Sequence, residues 1–172
     1  MSALALGLGA CSKSEDVPDI AYCDDVADWG DSAISLEEEV LEIVNMHRAA
    51  GANCGSEGSF APTEPLTMNP NLRCAARKHT LDMVDRNYFS HNSPEGDGPS
   101  VRIDAAEYDW STWGENIARG SSDAEGTMEQ WMGSDGHCAN IMNPSFTEIG
   151  VGYVAGGEFG HTWTQVFGRP PG

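Results

Sequence analysis

Four histidines and one glutamate stand in short frames rich in glycine, asparagine and aromatic residues. Imidazole and carboxylate are the side chains that bind metals and move protons near neutral pH. The frames are Phe89-Ser90-His91, Gly114-Glu115-Asn116-Ile117-Ala118, Ser134-Asp135-Gly136-His137-Cys138-Ala139-Asn140-Ile141-Met142 and Gly160-His161-Thr162-Trp163-Thr164-Gln165. His79 lies on the helix leading to the first frame. Two imidazoles and a carboxylate, here His91, His161 and Glu115, form a donor set for Zn2+ or another divalent cation with an open coordination position. The same residues with His137 can equally serve proton transfer.

Each residue also has a plainer account. His79 falls on the apolar stripe of Leu72, Ala75, Ala76, Met83 and Val84, as a packed, hydrogen-bonded core histidine would. His47 lies near a helix end and suits that end of the dipole. His137 can be satisfied by a backbone carbonyl, and Glu115 can be a buried acid that accepts backbone amides. Trp110, Trp113, Trp131 and Trp163 read as core or cleft wall. There is no HExxH and no G-x-S-x-G, and no phosphate-binding glycine loop occurs.

The elements that must position these residues follow from periodicity and punctuation. Ser35-Leu36-Glu37-Glu38 has the form of a capping box, and Leu36, Val40, Ile43, Val44 and His47 recur at helical spacing until Gly51. Residues 51 to 68 form a loop rich in glycine and proline. Asn69-Pro70 caps and starts a second helix, predicted to run to about Asn87. The stretch from His91 to Pro99 is a loop, with a short helix after it. A strand over Trp113 to Ala118 carries Glu115. Asp123 caps a helix, and Ser134 restarts one that carries His137. Two alternating runs, Ile149 to Tyr153 and His161 to Phe167, flank Gly156-Gly157 as a hairpin. Alternation places His161, Trp163 and Gln165 on one face of their strand and the threonines on the other. Helices followed by strands imply an α+β fold with helices on a mainly antiparallel sheet.

The 172 residues fit one domain with a tail. With 9 basic against 27 acidic residues, the net charge of −18 opposes nucleic acid and an anionic lipid surface alike. An apolar run from Ala3 ends at Cys11, in the manner of a partial lipoprotein-type signal over residues 1–11, with Cys11 as the lipidated residue. The run is too short to span a bilayer and lacks a basic start. The only membrane contact expected is a lipid anchor at Cys11. Residues 12–34 read as an acidic linker and 35–172 as the globular domain. Cys23, Cys54, Cys74 and Cys138 remain, an even number that implies two disulfides in an exported protein, with three pairings open. Without a CxxC pair, a zinc cluster is not expected.

Taken in order, Tyr88-Phe89-Ser90-His91, Gly114-Glu115-Asn116-Ile117-Ala118, Trp131-x-x-Ser134-x-x-His137-x-x-Asn140-Ile141-Met142, Gly150-Val151-Gly152 and His161-x-Trp163-Thr164-Gln165 closely resemble the superfamily of cysteine-rich secretory proteins, antigen 5 and plant pathogenesis-related proteins (the CAP or SCP-like domain), in its bacterial exported branch. The resemblance covers about residues 36 to 168. It implies an α-β-α sandwich with a polar cleft, which in many eukaryotic relatives holds two histidines and two glutamates, sometimes with a divalent metal. Carried across, His91 matches the first histidine, Glu115 the first glutamate and His161 the second histidine. The second glutamate has no match. Ser134 and His137 stand in its helix segment, and Glu129 is displaced by more than a turn. Asn116, Ser134 and Gln165 complete the expected cleft.

Three functions follow. The first is a monomeric, exported binding module, anchored in the cell envelope or extracellular, for an envelope partner or lipid. The second is a metal-assisted hydrolase, a protease or cell-envelope hydrolase, with zinc on His91 and His161 and Glu115 as base. The third is a purely structural polar cluster. The binding module is preferred over an enzyme, because the resemblance gives little support for catalysis.

Overall fold

Helix α1 (Asp31–Ala50) begins a turn before the Ser35 capping box. Gly30 is its N-cap, and Ser35 lies inside the helix with its hydroxyl on the Asp31 carbonyl at 3.0 Å. Asp31 in the first turn favours the positive helix end, and Ala33 and Leu36 pack on the core, so packing carries the helix past the local cap. The structure, a computed structural model, describes residues 16–172. The expected signal and Cys11 lie outside the described residues.

The described part of the expected linker is packed against the domain. A 3-10 helix (Ala21–Val26) buries Cys23 and Val26, and Cys23 is bonded to Cys74 of α2 (Pro70–Asp85). The second disulfide, Cys54–Cys138, ties the loop after α1 to α5 (Asp135–Met142). Helix α2 starts where the sequence predicts: the Asn69 side chain accepts from the amides of Asn71 and Leu72. The short helix α3 (Pro99–Ala105) follows the 91–98 loop.

Strands β1 (Ala52–Asn53) and β2 (Ser59–Phe60) form a small antiparallel ribbon beside the main sheet. The main sheet has the order β3-β5-β6-β4, with β3 at Thr67–Met68, β4 at Thr112–Arg119, β5 at Glu148–Ala155 and β6 at His161–Arg169. The β5–β6 and β6–β4 pairings are antiparallel, and the short β3 joins β5 in parallel, so the sheet is mixed with antiparallel pairing dominant. Helices α2 and α3 cover one face. Helices α1, α4 (Ala124–Met132) and α5 cover the other, which makes the α-β-α sandwich. Gly150 and Gly152 let α2 lie directly on β5. A Cβ at Gly150 would stand 2.0 Å from the Leu72 carbonyl carbon, and one at Gly152 2.6 Å from that of Ala76.

The core is split by the sheet. Val40, Val44, Met128, Trp131 and Ile141 meet Ile149, Val151 and Trp163 on one side. Leu72, Ala75, Ala76 and Ile103 meet Val166 on the other. Strand β4 ends the sheet order, so among the described residues one of its edges has no strand partner.

Candidate functional site

The two-residue period of β4 sends Glu115 and Asn116 to opposite faces. Glu115 turns to the α2–α3 side. Its Oε1 is 2.7 Å from Nδ1 of His91 and 3.8 Å from Nε2 of His79, and its Oε2 accepts from Nη2 of Arg102 at 2.8 Å. The Glu115 side chain is 1% exposed. A carboxylate so buried needs a charge-assisted partner, and Arg102 supplies it. Arg102 also donates to the carbonyls of His91 (2.9 Å) and Asp97 (3.2 Å). One guanidinium therefore holds both the carboxylate and the loop that carries His91.

His79 is packed as the stripe predicts, at 1% exposure, but it is packed against the site. Burial pulls its pKa from 6.5 down to about 4; the Glu115 carboxylate opposes the shift and Arg102 adds to it. Its ring is neutral at pH 7. Among the described residues neither ring nitrogen meets a partner at full hydrogen-bond geometry, and the Ser90 backbone is a polar group that the ring approaches.

Asn116 turns to the α4–α5 side and braces it. Its amide nitrogen donates to the His137 carbonyl and to Oε1 of Gln165, each at 3.1 Å, and its oxygen accepts from Asn140 at 2.9 Å. Asn140 also reaches the Glu115 carbonyl at 3.3 Å. Asn116 and Gln165 are fully buried, so these two expected cleft residues cross-link β4, β6 and α5. His137 and Ser134 do line a cavity of about 200 Å3, with Phe89, Ile117, Arg119 and Trp131. Burial lowers the pKa of His137, and the charge of His91 beside it acts in the same direction. His91 itself is half exposed. His91 is thus within electrostatic reach of His137.

The structure does not bring His161 to this group. Glu115 pairs with Val166, five positions further along β6, and those two share the α2 face with Thr164, whose hydroxyl meets that of Thr80 at 2.8 Å. His161 shares the opposite face with Trp163 and Gln165. There its Nδ1 is 2.7 Å from the Tyr153 hydroxyl, and the two rings stack at 8°. An odd number of residues along a strand reverses the face, and that alone separates His161 from Glu115. Buried Thr162 stands next to it on the α2 face. The zinc set of His91, His161 and Glu115 therefore does not fit, and among the described residues no three His, Cys, Asp or Glu are placed to hold a metal ion.

Chemically, the pair that remains is a carboxylate on Nδ1 of a half-exposed imidazole, with Nε2 left free to exchange hydrogen bonds or protons. Arg102 is missing from the sequence-based candidates, and His79 is set aside there as a core histidine. The one signal for Arg102 was its rarity, as one of 9 basic residues in this acidic chain, three residues after a helix-starting proline.

A disulfide-tied sandwich with a histidine–glutamate pair at an open strand edge defines a class of small domain. Residues 41–167 match the cysteine-rich secretory protein family, CAP, and the chain belongs to it. It is 39% identical over 136 residues to the uncharacterized protein YkwD of Bacillus subtilis, covering 79% of this chain and 48% of that protein. It thus spans about half the length of that curated relative. Among solved structures it is similar to an extracellular protein containing an SCP domain from Bacillus anthracis, with a TM-score of 0.67 and 28% identity over 80% of this chain and 41% of that one. An outer surface protein from Borrelia burgdorferi shares the fold at a TM-score of 0.65 and 15% identity, over 82% and 95% of the two chains.

Proposed function

We propose that this chain is an exported binding module whose contact surface is the cleft along the open edge of β4, where His91, His137 and Ser134 present their polar heads. The observation that carries the reading is the state of Glu115. Its two oxygens are engaged by His91 and Arg102, at 2.7 and 2.8 Å, so the carboxylate organises the cleft and is not left over as a ligand or base. Export is supported by two disulfides, which persist in oxidising compartments. It is supported also by the Bacillus anthracis neighbour, described as extracellular. Among the described residues no helix is long and apolar enough to cross a membrane. Attachment to the envelope through lipidation at Cys11 is part of the same proposal, and membrane fractionation tests it: a wholly soluble precursor removes the anchor from the reading.

The test of the module uses the full chain with washed cell-envelope material, in buffer and in EDTA. Saturable binding that survives EDTA, weakens in His91→Ala and releases no fragments supports the reading. Absence of saturable binding, or steady release of fragments, rejects it.

One observation favours a hydrolase as second reading. Glu115 on Nδ1 of His91 is the arrangement that orients a general base, and Ser134 lines the adjacent cavity. Release of envelope fragments that His91→Ala abolishes at unchanged melting temperature would establish it.

A further inference from the structure

The edge of β4 beyond Glu115 carries a set of features that the family assignment does not explain. Gly120 donates to the His161 carbonyl at 2.8 Å and continues the β4–β6 register, so the even-numbered residues of β4 exchange hydrogen bonds with β6. Glu115, Ile117 and Arg119 therefore turn their backbone groups outward. For Glu115 this is visible directly, since its carbonyl accepts from Asn140. Among the described residues no strand continues the sheet past β4 at Ile117 and Arg119, and both residues line the 200 Å3 cavity. Arg119 shares the α2 face with Thr162 and lies against Phe89, whereas Trp131 packs in the core on the α4–α5 side, and Ser134 and His137 line the same cavity. The strip is a floor of unpaired backbone between two walls.

Arg119 adds a charge of unusual setting. Its guanidinium carbon lies 4.7 Å from the Phe89 ring centre and 4.4 Å from that of Phe159, so it is held between two aromatic rings. Among the described residues no carboxylate lies within ion-pair distance of it, although the chain has 27 acids. By contrast Arg73, Arg77, Lys78, Arg86 and Arg102 are each paired. A preorganised, unpaired arginine in a chain of charge −18 leaves its charge available to an anion from outside, and its planar fork matches a carboxylate.

We propose that the open edge of β4 at Ile117 and Arg119 takes an extended peptide as an added strand, and that Arg119 receives a carboxylate of that peptide. This rests on the binding-module reading and names its ligand class. Strand addition uses backbone bonds for affinity and side-chain pockets for selectivity. The two outward residues span about 7 Å, which a segment of three residues matches. The carboxylate is supplied either by an acidic side chain or by the peptide's own C-terminus.

The test records amide spectra of the 15N-labelled full chain with four pools of acetylated hexapeptides, randomised over non-acidic residues. One pool ends in a free carboxylate. A second is amidated, a third is amidated with a fixed terminal glutamate, and a fourth has a free carboxylate but alternate N-methylated amides. The expected result is a shift and slowed exchange at Ile117 and Arg119 with the first or third pool, and at least tenfold weaker binding for the second and fourth. Which of the first and third binds identifies the carboxylate. Arg119→Gln should weaken binding at least tenfold, and Arg119→Lys should restore part of it, with the rest of the spectrum unchanged. No change at Ile117 and Arg119 with any pool, or equal binding by Arg119→Gln, overturns the proposal. If envelope binding persists in that case, the peptide inference fails alone; if it is lost too, the binding-module reading fails with it.

Discussion

His79 should make this protein lose stability in mild acid. The ring is 1% exposed, 3.8 Å from the Glu115 carboxylate and 6.2 Å from the Tyr88 ring. Burial lowers its pKa to about 4, with Arg102 acting in the same direction and Glu115 against it. In the unfolded chain the same group titrates at about 6.5. Between those values the unfolded chain binds a proton that the folded chain refuses, so stability falls as pH falls through that window. The interval corresponds to about 3 kcal/mol, a large share of a typical domain stability of about 5–15 kcal/mol. Urea denaturation at about pH 7.5 and about pH 4, on the wild type and on His79→Gln, isolates the effect. The carboxylates titrate in both proteins and cancel to first order. The wild type should lose about 3 kcal/mol more than the variant between the two conditions. Equal losses would refute the assignment of a neutral, proton-refusing imidazole beside Glu115.

Three further outcomes test the architecture. Arg102→Met removes the charged partner of Glu115 and two anchors of the 91–97 loop, so it should cost about 3–5 kcal/mol by denaturation, the scale of a broken buried pair. Gly150→Ala should abolish folded protein, seen as loss of the near-UV circular dichroism signal, because its Cβ would overlap the α2 backbone at 2.0 Å. Gly136→Ala, in open space on α5, should instead stabilise by about 0.5–1 kcal/mol.

Much of the fold is legible locally. Asn69-Pro70 starts α2, Asp123 caps α4 through the Gly126 amide at 2.7 Å, and the alternation of β5 and β6 marks their hairpin. These features depend on a few neighbouring residues, so a linear reading finds them. The start of α1 and the packing of residues 17 to 26 escape it, because core burial of Ala33 and Leu36 decides the first, and burial against α2 with the Cys23–Cys74 bond decides the second. Two expected cleft residues, Asn116 and Gln165, prove to be braces, and the glycines of β5 show their purpose only once α2 lies on them.

The sequence by itself determined the family, the sandwich, and His91, Glu115 and His161 as the place to look; only the structure pairs the first two and sets the third apart. The sequence even contained the reason why His161 stands apart, since strand alternation puts that residue with Trp163 and Gln165. What alternation cannot tell is which face of β6 Glu115 shares, because that depends on the register between β4 and β6, and on which helices cover each side. Only the tertiary structure could decide that Arg102 neutralises Glu115, that His79 is buried beside it, and that the far edge of β4 stays open. Those facts come from groups far apart along the chain, brought together by packing that no local pattern encodes.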